Sequence, residues 1–232
     1  MGRRIISVAL FLCIAVLLYC GDIARFVNLG FSNDARYFMF GQYGVREKDS
    51  APYADVFLVD VRANNFLPAG VRNVVFSDHA GTLDDGKGAL FTVLEELVQT
   101  TRKYSVGHLL VGRPLYVLVN NEEAKAELDF RDFQTGRRYL VSLIQSRQGS
   151  GKSVQSSFHL KVTVHTKSGS VAKHTVGLPN YMRKGVQRYR IKQIVLGPDD
   201  RALIFVIERD QVSASDGSGF DVRYMVETIA LP

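Results

Sequence analysis

The sequence predicts a mainly β fold, an antiparallel sheet or sandwich with one helical insert, and an α+β fold is the alternative. Three observations lead to this prediction. Short apolar stretches separated by turn residues recur along the chain, residues 158–165 alternate between apolar and polar side chains, and only residues 88–104 follow a helical period. With 46% hydrophobic and 22% charged residues, residues 21–232 can form one domain with a sizeable core.

The first element is an export signal in residues 1–20. Arg3 and Arg4 precede an apolar run from Ile5 to Tyr19, and this run has the length of a signal peptide and is too short to span a membrane comfortably. The end of the signal stays open. Cleavage near Cys20 to Ala24 is one reading. Lipidation of Cys20 as in a bacterial lipobox is a second, and an uncleaved anchor that attaches the protein to the membrane is a third.

Export restricts the chemistry of the remaining chain. Both cysteines, Cys13 and Cys20, lie in the signal, so residues 21–232 contain no disulfide and no thiol ligand. Removal of residues 1–20 leaves 27 basic against 23 acidic residues, a formal charge of +4. This mild excess favours anionic surfaces only weakly, and a periplasmic or secreted location argues against nucleic acid as a partner.

The next elements are strands. Residues 26–31 and 36–43 are apolar and aromatic-rich, and the turn formers of residues 32–35 between them predict a hairpin. Residues 53–61 predict a third strand, and residues 71–76 a short fourth one. Their aromatic side chains could line a ligand groove, but strand spacing favours a place in the core.

The helix is predicted over residues 89–104. Leu90, Leu94 and Leu97 share one face, while Glu95 and Glu96 lie away from it. Asp84 and Asp85 precede the helix, and Arg102 and Lys103 end it, as the helix dipole favours.

The stretch "SRQGSGKSVQS" at 146–156 resembles a phosphate-binding loop but departs from it. Position 146 is Ser where Gly is required, and the residues that follow alternate with a period of two where a helix is needed. Residues 137–144 also form a strand pattern. We therefore predict a long hairpin with a polar tip and no nucleotide site. Further strands are predicted within 106–119 and from residue 171 to the end.

Two segments echo each other, "FSNDARYFMF" at 31–40 and "LGPDDRALIF" at 196–205. Each resembles the TolB-type β-propeller repeat, although Ala35 and Asp200 stand where that repeat has Gly. Four such repeats are not found, so we predict propeller-like hairpins in an open sheet or sandwich and not a closed propeller. The export signal and both segments together also resemble an uncharacterised bacterial family of predicted secreted proteins, which implies no activity.

Two groups of residues are candidate sites. Asp78, His79, Asp84 and Asp85 form a loop that could bind a ligand or metal, or serve a hydrolase, but its spacing is not that of a calcium loop and the aspartates can cap the helix. Arg188, Arg190 and Lys192 share one strand face, with Tyr189 and Ile191 on the other. This basic stripe either contacts an anionic surface or protects an edge strand.

No motif specifies a catalytic residue, a metal site or a cofactor. The sequence therefore predicts an exported, non-enzymatic protein that binds a partner protein or a component of the cell envelope. The alternatives are a hydrolase built around residues 78–85 and a membrane-tethered structural lipoprotein.

Overall fold

The computed structural model describes residues 21–77, 81, 84–119, 122–213 and 219–231. The fold is mainly β, with antiparallel sheets and two helices, and the described residues form no closed barrel or propeller. The predicted fold class is confirmed. No helix within the described ranges is long and apolar enough to cross a membrane.

The strands and helices follow one another along the chain in this order: β1 Arg25–Ser32, β2 Tyr37–Val45, β3 Pro52–Asp60, β4 Asn65–Phe66, β5 Arg72–Val75, α1 Lys87–Glu96, α2 Val98–Lys103, β6 Val106–Gly107, β7 Arg113–Val117, β8 Glu127–Arg131, β9 Arg138–Gln148, β10 Gln155–His165, β11 Val171–Lys184, β12 Val186–Leu196, β13 Ala202–Val212 and β14 Phe220–Ala230.

The N-terminal sheet has the strand order β4-β3-β2-β1-β6, and β5 also pairs with β3. The predicted first hairpin is β1 and β2. Gly30 forms a bulge in β1 at φ 104°, where a Cβ atom would lie 2.2 Å from the carbonyl oxygen of Gly107. Helix α1 covers one face of this sheet with Leu90 and Val93, and Leu97 separates α1 from α2. The predicted helix therefore exists as two short ones.

The hairpin sheet has the order β11-β10-β9-β8. Strands β9 and β10 pair from Arg138 opposite His165 to Gln148 opposite Gln155, as the period of two predicts. Gly151–Ser153 forms a 3-10 turn at the tip, and no helix follows it. The structure thus confirms a hairpin where the phosphate-binding loop was rejected.

The central sheet has the order β14-β13-β12-β7 and lies between the other two sheets. Leu203, Phe205 and Ile207 of β13 pack on the hairpin sheet, while Ile204 and Val206 pack on the N-terminal sheet. Because both faces of β13 are covered, its sequence is the nearly continuous apolar run "ALIFVIE", without alternation of apolar and polar side chains.

The two echoing segments form the same turn. Ala35 and Asp200 both have positive φ angles, 52° and 57°, at the position where the propeller repeat carries Gly. Asp34 and Asp199 each accept a backbone N–H from the arginine two residues later, at 3.1 Å and 2.9 Å. The shared turn explains the echo, but the resemblance to a propeller is not confirmed.

Side-chain amides cover the free edges of the central sheet. Gln42 accepts the N–H of Tyr224 at 2.7 Å on β14, and Asn64 accepts that of Thr228 at 2.7 Å. On β12, Gln145 accepts the N–H of Tyr189 at 3.0 Å and donates to its carbonyl oxygen. These amides occupy positions that a neighbouring strand would fill. They satisfy backbone hydrogen-bonding groups at the edges, which are then not available to strands of other chains.

Candidate binding site

A cavity of about 350 Å³ lies where edges of the three sheets meet. Its wall comes from the β3–β4 turn and β4 of the N-terminal sheet, from β11 of the hairpin sheet and from β14 of the central sheet. We call it the three-sheet pocket and define it by the side chains of Asn64, Phe66, Leu178, Arg183 and Glu227.

Glu227 is the buried acid of the three-sheet pocket, with 6% of its surface exposed. It stands in β14 between apolar residues of the stretch "YMVETIAL", where strand pairing fixes its backbone opposite Phe205. Its Oε2 atom accepts a hydrogen bond of 2.6 Å from Nδ2 of Asn64. Burial raises the pKa of Glu227, although the bond from Asn64 and the charge of Arg183 act to lower it.

Asn64 holds the acid in place from the N-terminal sheet. Its φ angle of 48° lies in the left-handed region, which Asn adopts more readily than most residues. While its Nδ2 atom donates to Glu227, its Oδ1 atom accepts from the backbone and the hydroxyl of Thr228. The amide is therefore fixed in one orientation by bonds to two successive residues of β14.

Arg183 supplies the positive charge of the three-sheet pocket from the hairpin sheet. Its guanidinium lies 5.2 Å from the ring centre of Phe158 and 5.0 Å from that of Tyr181. Its Nη1 atom is buried and has no hydrogen-bond partner among the described residues. No ion pair within 4.0 Å joins Arg183 to Glu227, although the structure describes both residues.

The apolar rim of the three-sheet pocket is exposed. Strand β11 bulges beside β10, where four residues, 179–182, lie opposite the single residue Ser157. Leu178 next to this bulge and Tyr181 within it are 57% and 58% exposed, and Phe66 on β4 is 38% exposed. The rim thus offers apolar surface directly beside the charged interior.

This arrangement suits recognition of a ligand. A guanidinium with an unused donor and a carboxyl group lie in one cavity with apolar walls, which is the usual composition of a binding site. A ligand that supplies both an acceptor and a donor could satisfy the two groups together. Among the described residues that line the cavity, no His, Cys or second carboxyl group accompanies Glu227.

The loop predicted from Asp78, His79, Asp84 and Asp85 is only partly described, since Asp78 and His79 lie outside the described residues. Asp84 accepts the N–H of Gly86 at 2.8 Å, and Asp85 accepts that of Lys87 at 3.0 Å and pairs with Arg25 at 2.9 Å. The N-cap itself is Gly86. Both aspartates thus order the start of α1, and the ligand role of the loop stays a prediction.

The basic stripe lies on β12, and Tyr189 and Ile191 are buried on the opposite face as predicted. Arg188 pairs with Asp210 at 2.7 Å, and Arg190 pairs with Glu208 at 2.6 Å and with Asp210. Lys192 also has an interaction within the fold. These acids offset much of the positive charge. Contact of the stripe with an anionic surface stays a prediction.

The sequence interpretation missed all three polar residues of the three-sheet pocket. Glu227 carried a signal, because a single acid inside an apolar strand must find a partner. The Asn64–Asn65 pair has the composition of a turn and gives no further signal. No local pattern marks Arg183. Among the described residues, no group of three or more His, Cys, Asp or Glu side chains could hold a metal ion.

One comparison with known proteins gives a match. The model of the family described as "Predicted secreted protein (DUF2259)" matches residues 39–230, which include all five side chains that define the three-sheet pocket. No curated protein and no solved structure matches the chain.

Proposed function

The chain belongs to this family of predicted secreted proteins, and from that premise we propose that it is an exported, non-enzymatic protein that binds a peptide segment of a partner in the three-sheet pocket. The observation that carries the proposal is the buried Nη1 atom of Arg183, which has no partner among the described residues although Glu227 lies in the same cavity.

A peptide group matches the two charges. Its carbonyl oxygen accepts from Arg183, and a neighbouring N–H donates to Oε1 of Glu227, the oxygen that Asn64 does not bond. An unsatisfied buried donor costs about 1–3 kcal/mol, so a ligand that satisfies Arg183 recovers part of this free energy on binding. The ionised form of Glu227 is stabilised as well, because a donor beside its carboxylate opposes the effect of burial, which raises the pKa of Glu227.

The edge of β14 supports an extended ligand. In an antiparallel strand every second N–H points to the same edge. On β14 those of Val222, Tyr224 and Thr228 are bonded to Asp22, Gln42 and Asn64, respectively. Val226 continues this series and lines the cavity. Because Gln42 and Asn64 already occupy the positions on either side, a short extended segment can reach the main-chain groups only at Val226, while its apolar side chains contact Leu178 and Phe66.

A partner protein therefore fits the pocket better than a charged envelope polymer, because a polymer of anionic groups would meet the buried acid Glu227. No observation favours the hydrolase alternative, since Asp84 and Asp85 both bond to the backbone at the start of α1.

The proposal is tested with small amides and backbone NMR of the isotope-labelled protein. N-acetyl-leucine amide is expected to shift the resonances of residues 64–66, 177–183 and 225–227. N-acetyl-glycine amide, which lacks the apolar side chain, should produce weaker shifts at the same positions.

Arg183→Met is the decisive variant, because it keeps the length of the side chain and removes the donor. We expect it to abolish the shifts caused by N-acetyl-leucine amide. Arg147→Met, which changes an exposed arginine of the same sheet, should leave them unchanged. Equal binding by Arg183→Met and the unchanged protein would refute the proposal, as would shifts confined to another surface.

A further inference from the structure

The first described residues of the chain belong to the central sheet. The N–H of Ala24 donates to the carbonyl oxygen of Val222 at 3.1 Å, and the N–H of Val222 donates to that of Asp22 at 2.9 Å. Ile23 and Val222 form a parallel bridge. Residues 22–24 therefore extend the sheet beyond β14, at the end opposite to the three-sheet pocket.

The side chain of Asp22 lies at the centre of a buried ion pair. Both of its carboxylate oxygens accept from the guanidinium of Arg223, with 2.8 Å between Oδ2 and Nη2. The hydroxyl of Tyr53 donates to Oδ1 at 2.9 Å, and the guanidinium lies 4.7 Å from the Tyr53 ring centre. We call Asp22, Tyr53 and Arg223 the N-terminal clamp. Without the carboxylate of Asp22, the buried arginine would keep only the longer contact with Asp221, 3.8 Å between Nη2 and Oδ2, as its counter-charge, which is unfavourable.

Gly21 is also part of this packing. It is buried, and a Cβ atom at this position would lie 2.2 Å from the carbonyl oxygen of Phe220 and 2.8 Å from the nitrogen of Asp221. Only glycine permits so close an approach of two backbones. A residue constrained in this way by the fold belongs to the folded domain and not to a disposable leader.

From this geometry we infer that the export leader ends before Gly21 and that processing releases a chain that starts at Cys20 or Gly21. The sequence alone leaves three possibilities open: cleavage near Cys20 to Ala24, lipidation of Cys20, and an uncleaved anchor. A leader peptidase hydrolyses the bond after residue 19 or after residue 20. One water is consumed, the leader keeps the new carboxylate, and Cys20 or Gly21 keeps the new amine.

The inference depends on export and not on the three-sheet pocket, so either proposal can fail alone. The first test is the intact mass of the chain that a bacterial host exports from the full-length sequence. A mature chain that begins at Cys20 or Gly21 is expected, and the added mass of acyl groups on Cys20 would identify a lipoprotein. A chain that keeps Met1, or that begins at Asp22 or later, would overturn the inference.

The second test asks whether the fold requires the residues just after the leader. Asp22→Asn in the exported protein should lower Tm by roughly 6–12 °C, because it removes a charge from a buried pair. Asp129→Asn is the matched control, since Asp129 pairs with Arg138 at the surface, and its Tm should fall by at most about 2–4 °C. An unchanged Tm for Asp22→Asn would contradict the inference. If that variant does not fold, the mass of the unchanged chain still decides.

Discussion

Strand β14 carries Arg223 near its start and Glu227 near its end, and these two residues lie in opposite situations. Arg223 bonds to both carboxylate oxygens of Asp22 and stacks on Tyr53. Glu227 shares a cavity with Arg183, but the two form no ion pair within 4.0 Å in the part of the chain that the structure describes. The N-terminal clamp is therefore saturated, while the three-sheet pocket keeps an unused donor.

The difference separates a structural contact from a proposed binding site. In the clamp, burial acts to lower the pKa of Arg223, but the hydrogen bonds and charge of Asp22 outweigh burial, so the pKa is raised. In the three-sheet pocket burial prevails and raises the pKa of Glu227. A carboxyl group destabilised in this way is retained at a cost to the fold, which is typical of residues that serve a ligand.

The largest effect is expected for Arg223→Met. This change leaves the carboxylate of Asp22 buried without its cation, so the free energy of unfolding should fall by about 3–5 kcal/mol in chemical denaturation. Arg138→Met, which breaks an exposed pair with Asp129, should cost less than about 1 kcal/mol. Similar losses for both variants would remove the distinction between the clamp and an ordinary surface ion pair.

A smaller loss is expected for Tyr53→Phe. The hydroxyl of Tyr53 donates to Asp22 at 2.9 Å, while the ring that stacks on Arg223 is kept in the variant. The loss of one bond to a carboxylate that retains its arginine should lower the free energy of unfolding by about 1–2 kcal/mol, measured by denaturant titration at neutral pH. No loss would mean that Arg223 alone satisfies Asp22.

Glu227→Gln should have the opposite sign. Because the pKa of Glu227 is raised in the folded protein, its contribution to stability is greatest below the pKa of the unfolded chain and is lost as pH rises through the folded pKa. The variant should thus be more stable by roughly 0.5–1 kcal/mol at neutral pH, and the gain should shrink toward acidic pH. Thermal unfolding across this range measures it. A destabilised variant at neutral pH would show that the acid is a structural partner of Arg183.

The smallest effect on stability is expected for Arg183→Met. Its Nη1 donor has no partner among the described residues, and methionine keeps much of the contact with Phe158 and Tyr181. The free energy of unfolding should change by less than about 1 kcal/mol, the size of an exposed cation–π contact. A loss as large as that of Arg223→Met would show that Arg183 is also structural.

The predictions from sequence succeeded where the pattern is local. The alternation in residues 158–165 predicted β10, and the shift to a helical period predicted the region of α1 and α2. The break at Leu97 was not predicted. The continuous apolar run of β13 indicated a strand. The sequence did not explain why its side chains do not alternate between apolar and polar, because the residues that cover its second face come from the distant N-terminal sheet.

The candidate binding site could not be predicted in the same way. Asn64, Arg183 and Glu227 are far apart in the sequence and belong to three different sheets. Each looks ordinary within its own segment, as part of a turn, a polar strand end and an apolar strand. Their proximity depends on the order in which the sheets stack, which the alternation of side chains along one strand does not specify.

The sequence by itself predicts an export signal. It also determined the strands, the helical region and the polar hairpin tip, because backbone preferences and side-chain periodicity act over a few neighbouring residues. The tertiary structure alone decided which sheet lies in the centre, that Asp22 closes on Arg223 and that Arg183 faces Glu227 without bonding to it. These outcomes follow from burial and charge pairing between distant segments, whose free energies exist only once the sheets have packed.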